Sequence, residues 1–291
     1  MSATRPLFSS TDAPRRVATG ATWSEGPLWI PAEAVVRWSD IPGNRILRWD
    51  PATGETRVHR SEVEFTNGRA MDRDGTVVQC SHGRRRLERE HPDGTVTPIV
   101  DRWGPHRLNS PNDVAIAPDG SYWFTDPDYG LVQPNEGHPG ELEYGDCRVF
   151  RWSERDGLTP VIDDVLRPNG IAFSPDGGTV YVTDTSRALE VGPGRWIRAY
   201  DVPGASASNG RQFAEVVNGW PDGIAVDVEG RVWSSAGDGV HVFEPDGREV
   251  AFLPVPEVVG NLCFGGSDGS DLFIAATTSL YLLGTATHGA S

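Results

Sequence analysis

Five short apolar runs in this chain share one spacing. Each begins just after a polar residue, Asn67, Asn112, Asn169, Asp222 or Asn261, and each closes eight residues later on a turn glycine, Gly75, Gly120, Gly177, Gly230 or Gly269. A sixth copy starts at Glu25, where a proline-containing turn stands in place of Asp-Gly. A fixed phase kept along a whole chain marks a repeat architecture, in which no unit buries its apolar face alone and neighbours supply the cover. The runs are four to seven residues long and bounded by Asp-Gly, Pro-Asp-Gly or Gly-Asp, so they read as strands. With 34 glycines, 23 prolines and almost no helical periodicity, a helical bundle is excluded.

A second strand follows each turn: Val35–Trp38, Thr76–Cys80, Tyr122–Thr125, Val180–Thr183, Val232–Ser235 and Leu272–Ala275. Third strands follow at Ile46–Trp49, Arg86–Arg89, Arg148–Trp152, Trp196–Tyr200, Val240–Phe243 and Leu280–Leu283. Units one to five add a fourth, such as Thr95–Val100 or Leu158–Ile162. The starts step by 42, 45, 57, 53 and 39 residues, the range of propeller blades. The sequence therefore predicts an all-β, six-bladed β-propeller of four-stranded antiparallel blades. The sixth unit runs out of chain before its fourth strand, while a spare apolar stretch, Arg16–Thr19, precedes the first unit. That N-terminal strand is expected to close the ring, since an open blade would leave edges unpaired. One domain over 14–284 results, with tails at 1–13 and 285–291.

Composition removes several function classes. All 26 basic residues are arginine, so neither an active-site lysine Schiff base nor a P-loop is available. A net charge of −15 speaks against nucleic acid or an anionic membrane as partner. Cys80, Cys147 and Cys263 are odd in number and form no CxxC, which suits reduced thiols better than a disulfide scaffold or a zinc site. There is no apolar signal core near the N-terminus and no run long enough to span a bilayer, so a cytoplasmic location is expected. None of GxSxG, HExxH and GxGxxG stands at a strand-to-helix junction.

In a propeller the innermost strands line a central channel, and their first residues sit at one mouth of it. Here those residues are Glu25, Asn67, Asn112, Asn169, Asp222 and Asn261. Asn and Asp also make turns, but Glu25 in the same phase is a poor turn former. Carboxylate and amide oxygens are what a hard divalent cation prefers, calcium with six to eight of them and magnesium with stricter geometry; no histidine is in phase, which argues against zinc.

Glu25-Gly26-Pro27, Leu108-Asn109-Ser110-Pro111-Asn112-Asp113, Phe124-Thr125-Asp126-Pro127, Arg167-Pro168-Asn169-Gly170 and Trp220-Pro221-Asp222-Gly223 resemble, in this order, the SMP-30/gluconolactonase/luciferin-regenerating-enzyme family, and its bacterial gluconolactonases above all. Ser235–Val240 and Asn261–Gly266 extend the likeness over nearly the whole chain. The resemblance implies a channel calcium held by Glu25, Asn112, Asn169 and Asp222, with Asn67 and Asn261 in supporting roles. It also implies hydrolysis of a sugar lactone such as gluconolactone to the aldonic acid. Two positions depart from the pattern: Ser110 where animal members carry an arginine that touches the sugar acid, and Asp128 where bacterial members often have a second proline.

For such a reaction the ion would polarise the carbonyl and a carboxylate would deprotonate water. Asp222 is the expected base, with direct nucleophilic attack as the variant. Asn112, His82, Asp126 and Tyr129 are expected at the substrate, and Asn112 could serve ion and lactone together. Asp184 ends a second strand at the same mouth, and Arg84–Arg86 either attract an anionic sugar acid or form a solvated strand. The connections Pro127–Asp146 and Thr185–Arg195 are expected to overhang the mouth as a specificity rim or as plain surface loops. Rival readings are a calcium-dependent esterase or phosphotriesterase, and a non-hydrolytic propeller whose ion is structural. The partner expected is a small lactone or ester; the sequence leaves the oligomeric state open.

Overall fold

The computed structural model describes residues 7–8 and 13–290. Of the two tails, residues 1–6, 9–12 and 291 lie outside the described residues. Six four-stranded antiparallel sheets follow one another along the chain as the blades of a propeller. Their inner strands are Ser24–Ile30, Thr66–Met71, Val114–Ile116, Pro168–Phe173, Ile224–Val226 and Val259–Gly265. The second strands Val35–Asp40, Val77–Ser81, Tyr122–Asp126 and Val232–Ser235 are buried at every position, and Thr179–Asp184 and Asp271–Ala276 at all but the first, because neighbouring blades cover both faces. The outermost strand of the first blade, Glu55–Ser61, is largely exposed.

The ring closes as the sequence predicts. Arg15–Thr19 pairs antiparallel with Ser279–Gly284, setting Arg16 opposite Tyr281 and Ala18 opposite Leu280, with a bulge between Arg16 and Ala18. Packing fixes the pairing: Ala18 and Ala21 join Trp38, Phe273 and Leu280 in one buried cluster between the last blade and the first. Beyond the strands, His288 O accepts from Val228 N at 3.1 Å and Ala290 N donates to Val226 O at 2.9 Å, so the chain end lies against the fifth blade. The three cysteines are free, and no helix among the described residues is long and apolar enough to cross a membrane. Among the described residues three short elements lie outside the six blades: a hairpin of Arg102–Trp103 with His106–Arg107, a one-turn helix, Tyr129–Val132, and a 3-10 turn, Ser186–Leu189.

An ion cluster joins the first two blades. Glu90 receives Arg37 Nη1 at 3.0 Å and His59 Nε2 at 3.1 Å, with Arg60 Nη1 at 3.7 Å. Burial works against the Glu90 charge, but His59 and the two guanidinium groups outweigh it and hold the carboxyl at about 2. A folded-state value below the ordinary 4.5 stabilises the protein above pH 4.5, and that contribution is lost as pH falls toward 2. At neutral pH Glu90→Gln is expected to cost about 3 kcal/mol by this linkage. Urea melts at stepped pH are the check: the variant's stability should fall less steeply than wild type between pH 4.5 and 2.

Candidate active site at the channel mouth

Five of the six phased residues, Glu25, Asn67, Asn112, Asn169 and Asp222, line a single cavity of about 220 Å³ at the channel mouth. Backbone-level contacts set them there. Glycine follows Glu25 and Asn169 because the inner strands nearly touch: a Cβ on Gly26 would stand 2.4 Å from Asn67 O, and one on Gly170 2.3 Å from Asp222 O. Second-strand hydroxyls then latch the first blade to the second, the third to the fourth and the fourth to the fifth. Ser39 Oγ donates to Asn67 O at 2.9 Å, Thr125 Oγ1 to Asn169 O at 2.7 Å and Thr183 Oγ1 to Asp222 O at 2.7 Å. These latches use the main-chain oxygens of Asn67, Asn169 and Asp222, while Glu25 Oε2 accepts Gly26 N at 3.0 Å. Asn261, the sixth phased residue, lies outside the cavity lining; its amide turns to Glu25 and Asp113, and its Oδ1 accepts Leu262 N at 2.7 Å.

The electrostatics are one-sided. Burial, with repulsion from Asp113 and Glu136, pushes the Glu25 carboxyl up to about 8. Burial likewise raises Asp222 well above the carboxylate range, with Glu25, Glu136 and Asp113 adding to it. Asp113 and Glu136 are each raised to about 7 by burial. None of the four has an arginine or histidine as ion-pair partner among the described residues. Buried charge of one sign needs compensation, and the donors facing the cavity are carboxylate and amide oxygens. No group of three or more His, Cys, Asp or Glu placed to hold a metal ion is found among the described residues; of the four expected ligands two are carboxylates and two are amides. An oxygen set of this kind suits a hard divalent cation.

Residues 23–278 match the family model described as the SMP-30/Gluconolactonase/LRE-like region. The chain belongs to that family. It is 31% identical over 295 residues to a gluconolactonase from Zymomonas mobilis, covering 94% of this chain and 81% of the relative. A pentonolactonase from Haloferax volcanii is 31% identical over 273 residues, covering 89% and 83%. Among solved structures, a gluconolactonase from Xanthomonas campestris superposes with a TM-score of 0.87 at 37% identity, over 97% of this chain and 99% of that one.

Within this SMP-30/gluconolactonase-type propeller, the residues expected at the substrate separate into two groups. Asn112 and Tyr129 line the cavity, the tyrosine on the one-turn helix with its hydroxyl 3.4 Å from Arg167 O. His82 and Asp126 lie behind the lining. His82 is fully buried, its Nε2 3.4 Å from Asn67 Nδ2 and its Nδ1 2.9 Å from Glu136 O, and burial lowers it to about 4, so the ring is neutral. Asp126 Oδ2 accepts Asn109 N at 2.8 Å and the Tyr144 hydroxyl. Asp184 Oδ1 accepts Ser186 N at 2.9 Å and starts the turn Ser186–Leu189. The arginine run is engaged elsewhere: Arg84 and Arg86 reach Glu88, and Arg85 Nε donates to Leu108 O at 2.6 Å.

Both long connections do reach the mouth. One supplies Tyr129, Gln133 and Glu136, the other Thr185, Ala188 and Leu189. Ser110 and Asp128, the two departures from the family pattern, anchor the first of them. Ser110 Oγ donates to Pro127 O at 2.7 Å and accepts Gly130 N at 3.0 Å, and Asp128 pairs with Arg167 Nε at 2.7 Å. Sequence reasoning missed Glu136, Trp23 and Trp220. The tryptophans carried a signal, since each stands two residues before a phased carboxylate, Glu25 or Asp222.

Proposed function

We propose that the chain hydrolyses a five- or six-membered sugar lactone to the hydroxy acid, using one divalent cation, calcium in first place, held by Glu25, Asn112, Asn169 and Asp222. One observation carries this reading: two buried carboxylates, Glu25 and Asp222, share a cavity with Asn112 and Asn169 and have no basic partner. When bound, the ion would supply Lewis acidity toward the lactone carbonyl oxygen.

The remaining work falls to side chains. The ionised Asp222 carboxylate takes a proton from water as the water oxygen bonds to the carbonyl carbon. The ring C–O bond then breaks, and the proton passes to the departing alkoxide, leaving a carboxylic acid and a hydroxyl on one open chain. Burial opposes the ionised form of Asp222, so its role as base depends on positive charge nearby. Asn112 offers an amide to the lactone oxygen, Tyr129 a hydroxyl, and Trp23, Ile41 and Trp220 apolar walls that limit water. The names of the relatives, gluconolactonase and pentonolactonase, support a lactone-ester hydrolase over an esterase or phosphotriesterase.

A panel of sugar lactones, aryl esters and phosphotriesters, each assayed with and without chelator, tests the proposal. Turnover is expected in the lactone arm alone, lost with chelator and restored by calcium. Ester or phosphotriester turnover without lactone turnover would reject it.

A further inference from the structure

The cavity has a sign as well as a shape. Besides Glu25 and Asp222 it is lined by a third carboxylate, Glu136, carried on the connection between Asp126 and Arg148. The main chain holds this residue in place: Glu136 O faces His82 Nδ1 at 2.9 Å, and Glu136 N donates to Gln133 O at 3.2 Å. Its half-buried carboxylate has neither a hydrogen-bond nor an ion-pair partner among the described residues. Among the described residues no arginine or histidine lines the cavity, and the chain has no lysine at all. The nearest guanidinium groups described above are spent on Glu88, Leu108 O and Asp128. Even with a divalent cation offsetting Glu25 and Asp222, the lining keeps one carboxyl group, Glu136, without a countercharge.

A carboxylate without a protein partner accepts hydrogen bonds and donates none, so ligand hydroxyls satisfy it and ligand anions are repelled. Trp23 and Trp220 add aromatic faces of the kind that pack on the apolar C–H side of a sugar ring. We propose that Glu136 is a specificity-determining residue, which binds hydroxyls of an uncharged polyol lactone and rejects lactones carrying a phosphate, sulfonate or carboxylate. This rests on the lactonase reading above and narrows it by charge.

The test compares kcat/KM for D-glucono-1,5-lactone and for its 6-phosphate at pH 7.5, in wild type and in Glu136→Gln. Glutamine keeps the shape and removes the charge. Wild type is expected to prefer the neutral lactone, and the variant to narrow that preference by about tenfold, since like charge in contact is costly. Most of the change should come from a lower KM for the phosphate. Raising ionic strength should narrow the preference of wild type and leave the variant's unchanged, which tests the native protein without mutation. A wild type that turns over the neutral lactone, with a preference insensitive to both Glu136→Gln and salt, would overturn the role of Glu136 and leave the lactonase reading standing. A wild type that turns over neither lactone would overturn both.

Discussion

Asp222→Asn is expected to remove lactone hydrolysis, with a loss of about 10²–10⁴-fold from the base alone, while leaving the propeller folded. The two effects separate because different atoms carry them. The Asp222 main chain is fixed by Ser235 Oγ, which accepts Asp222 N at 3.0 Å, and by Thr183 Oγ1 and Gly170 N, which donate to Asp222 O at 2.7 and 3.1 Å. Asparagine keeps all three and the side-chain shape. It replaces a carboxyl whose ionised form is opposed by burial and by Glu25, Glu136 and Asp113. The metal-free variant should therefore melt no lower than metal-free wild type. Rate and melting temperature measured on one preparation, at saturating calcium and again with chelator, are the check. A calcium-replete variant with full activity would remove Asp222 from the chemistry, and a metal-free variant with a depressed melting temperature would assign it a structural task.

The second large effect concerns closure. A chain beginning at Gly20 is expected to lose about 4 kcal/mol relative to one beginning at Ala13, from the four positions at which Arg15, Arg16, Ala18 and Thr19 pair with the sixth blade. Comparing two truncations isolates the strand itself. A chain of this size should melt roughly 10 °C lower after such a loss. The exposed edge Ser279–Gly284 should also promote association, visible by light scattering. Equal melting temperatures in the two chains would show that the strand contributes nothing to closure.

The eight-residue phase made the fold legible, because a propeller repeats its turn at a fixed distance from its channel residue. The deficit after Leu283 and the surplus at Arg16–Thr19 made the closure legible as well. At the site, position along the axis could be read and depth could not. His82 follows a strand and Asp126 ends one on the correct side, yet the connection that folds back over them supplies Glu136 O and the Tyr144 hydroxyl, which cover both. Such cover comes from residues distant in sequence and outside the repeat. Glu136 stayed hidden for the same reason: a loop residue has no phase to betray it. The phase does not by itself explain Gly26 and Gly170: both lie within strands and are small because the neighbouring blade's carbonyl oxygen leaves no room for a Cβ.

The central claim, that a ring of channel oxygens holds the ion on which lactone hydrolysis depends, is tested most directly by titrating calcium into chelator-stripped protein. Heat of binding and hydrolysis of D-glucono-1,5-lactone are followed on the same samples. One ion per chain is expected, with hydrolysis rising in proportion to occupancy and with both signals lost in Glu25→Gln. Hydrolysis at full rate in stripped protein, or stoichiometric binding that survives Glu25→Gln unchanged, would contradict it.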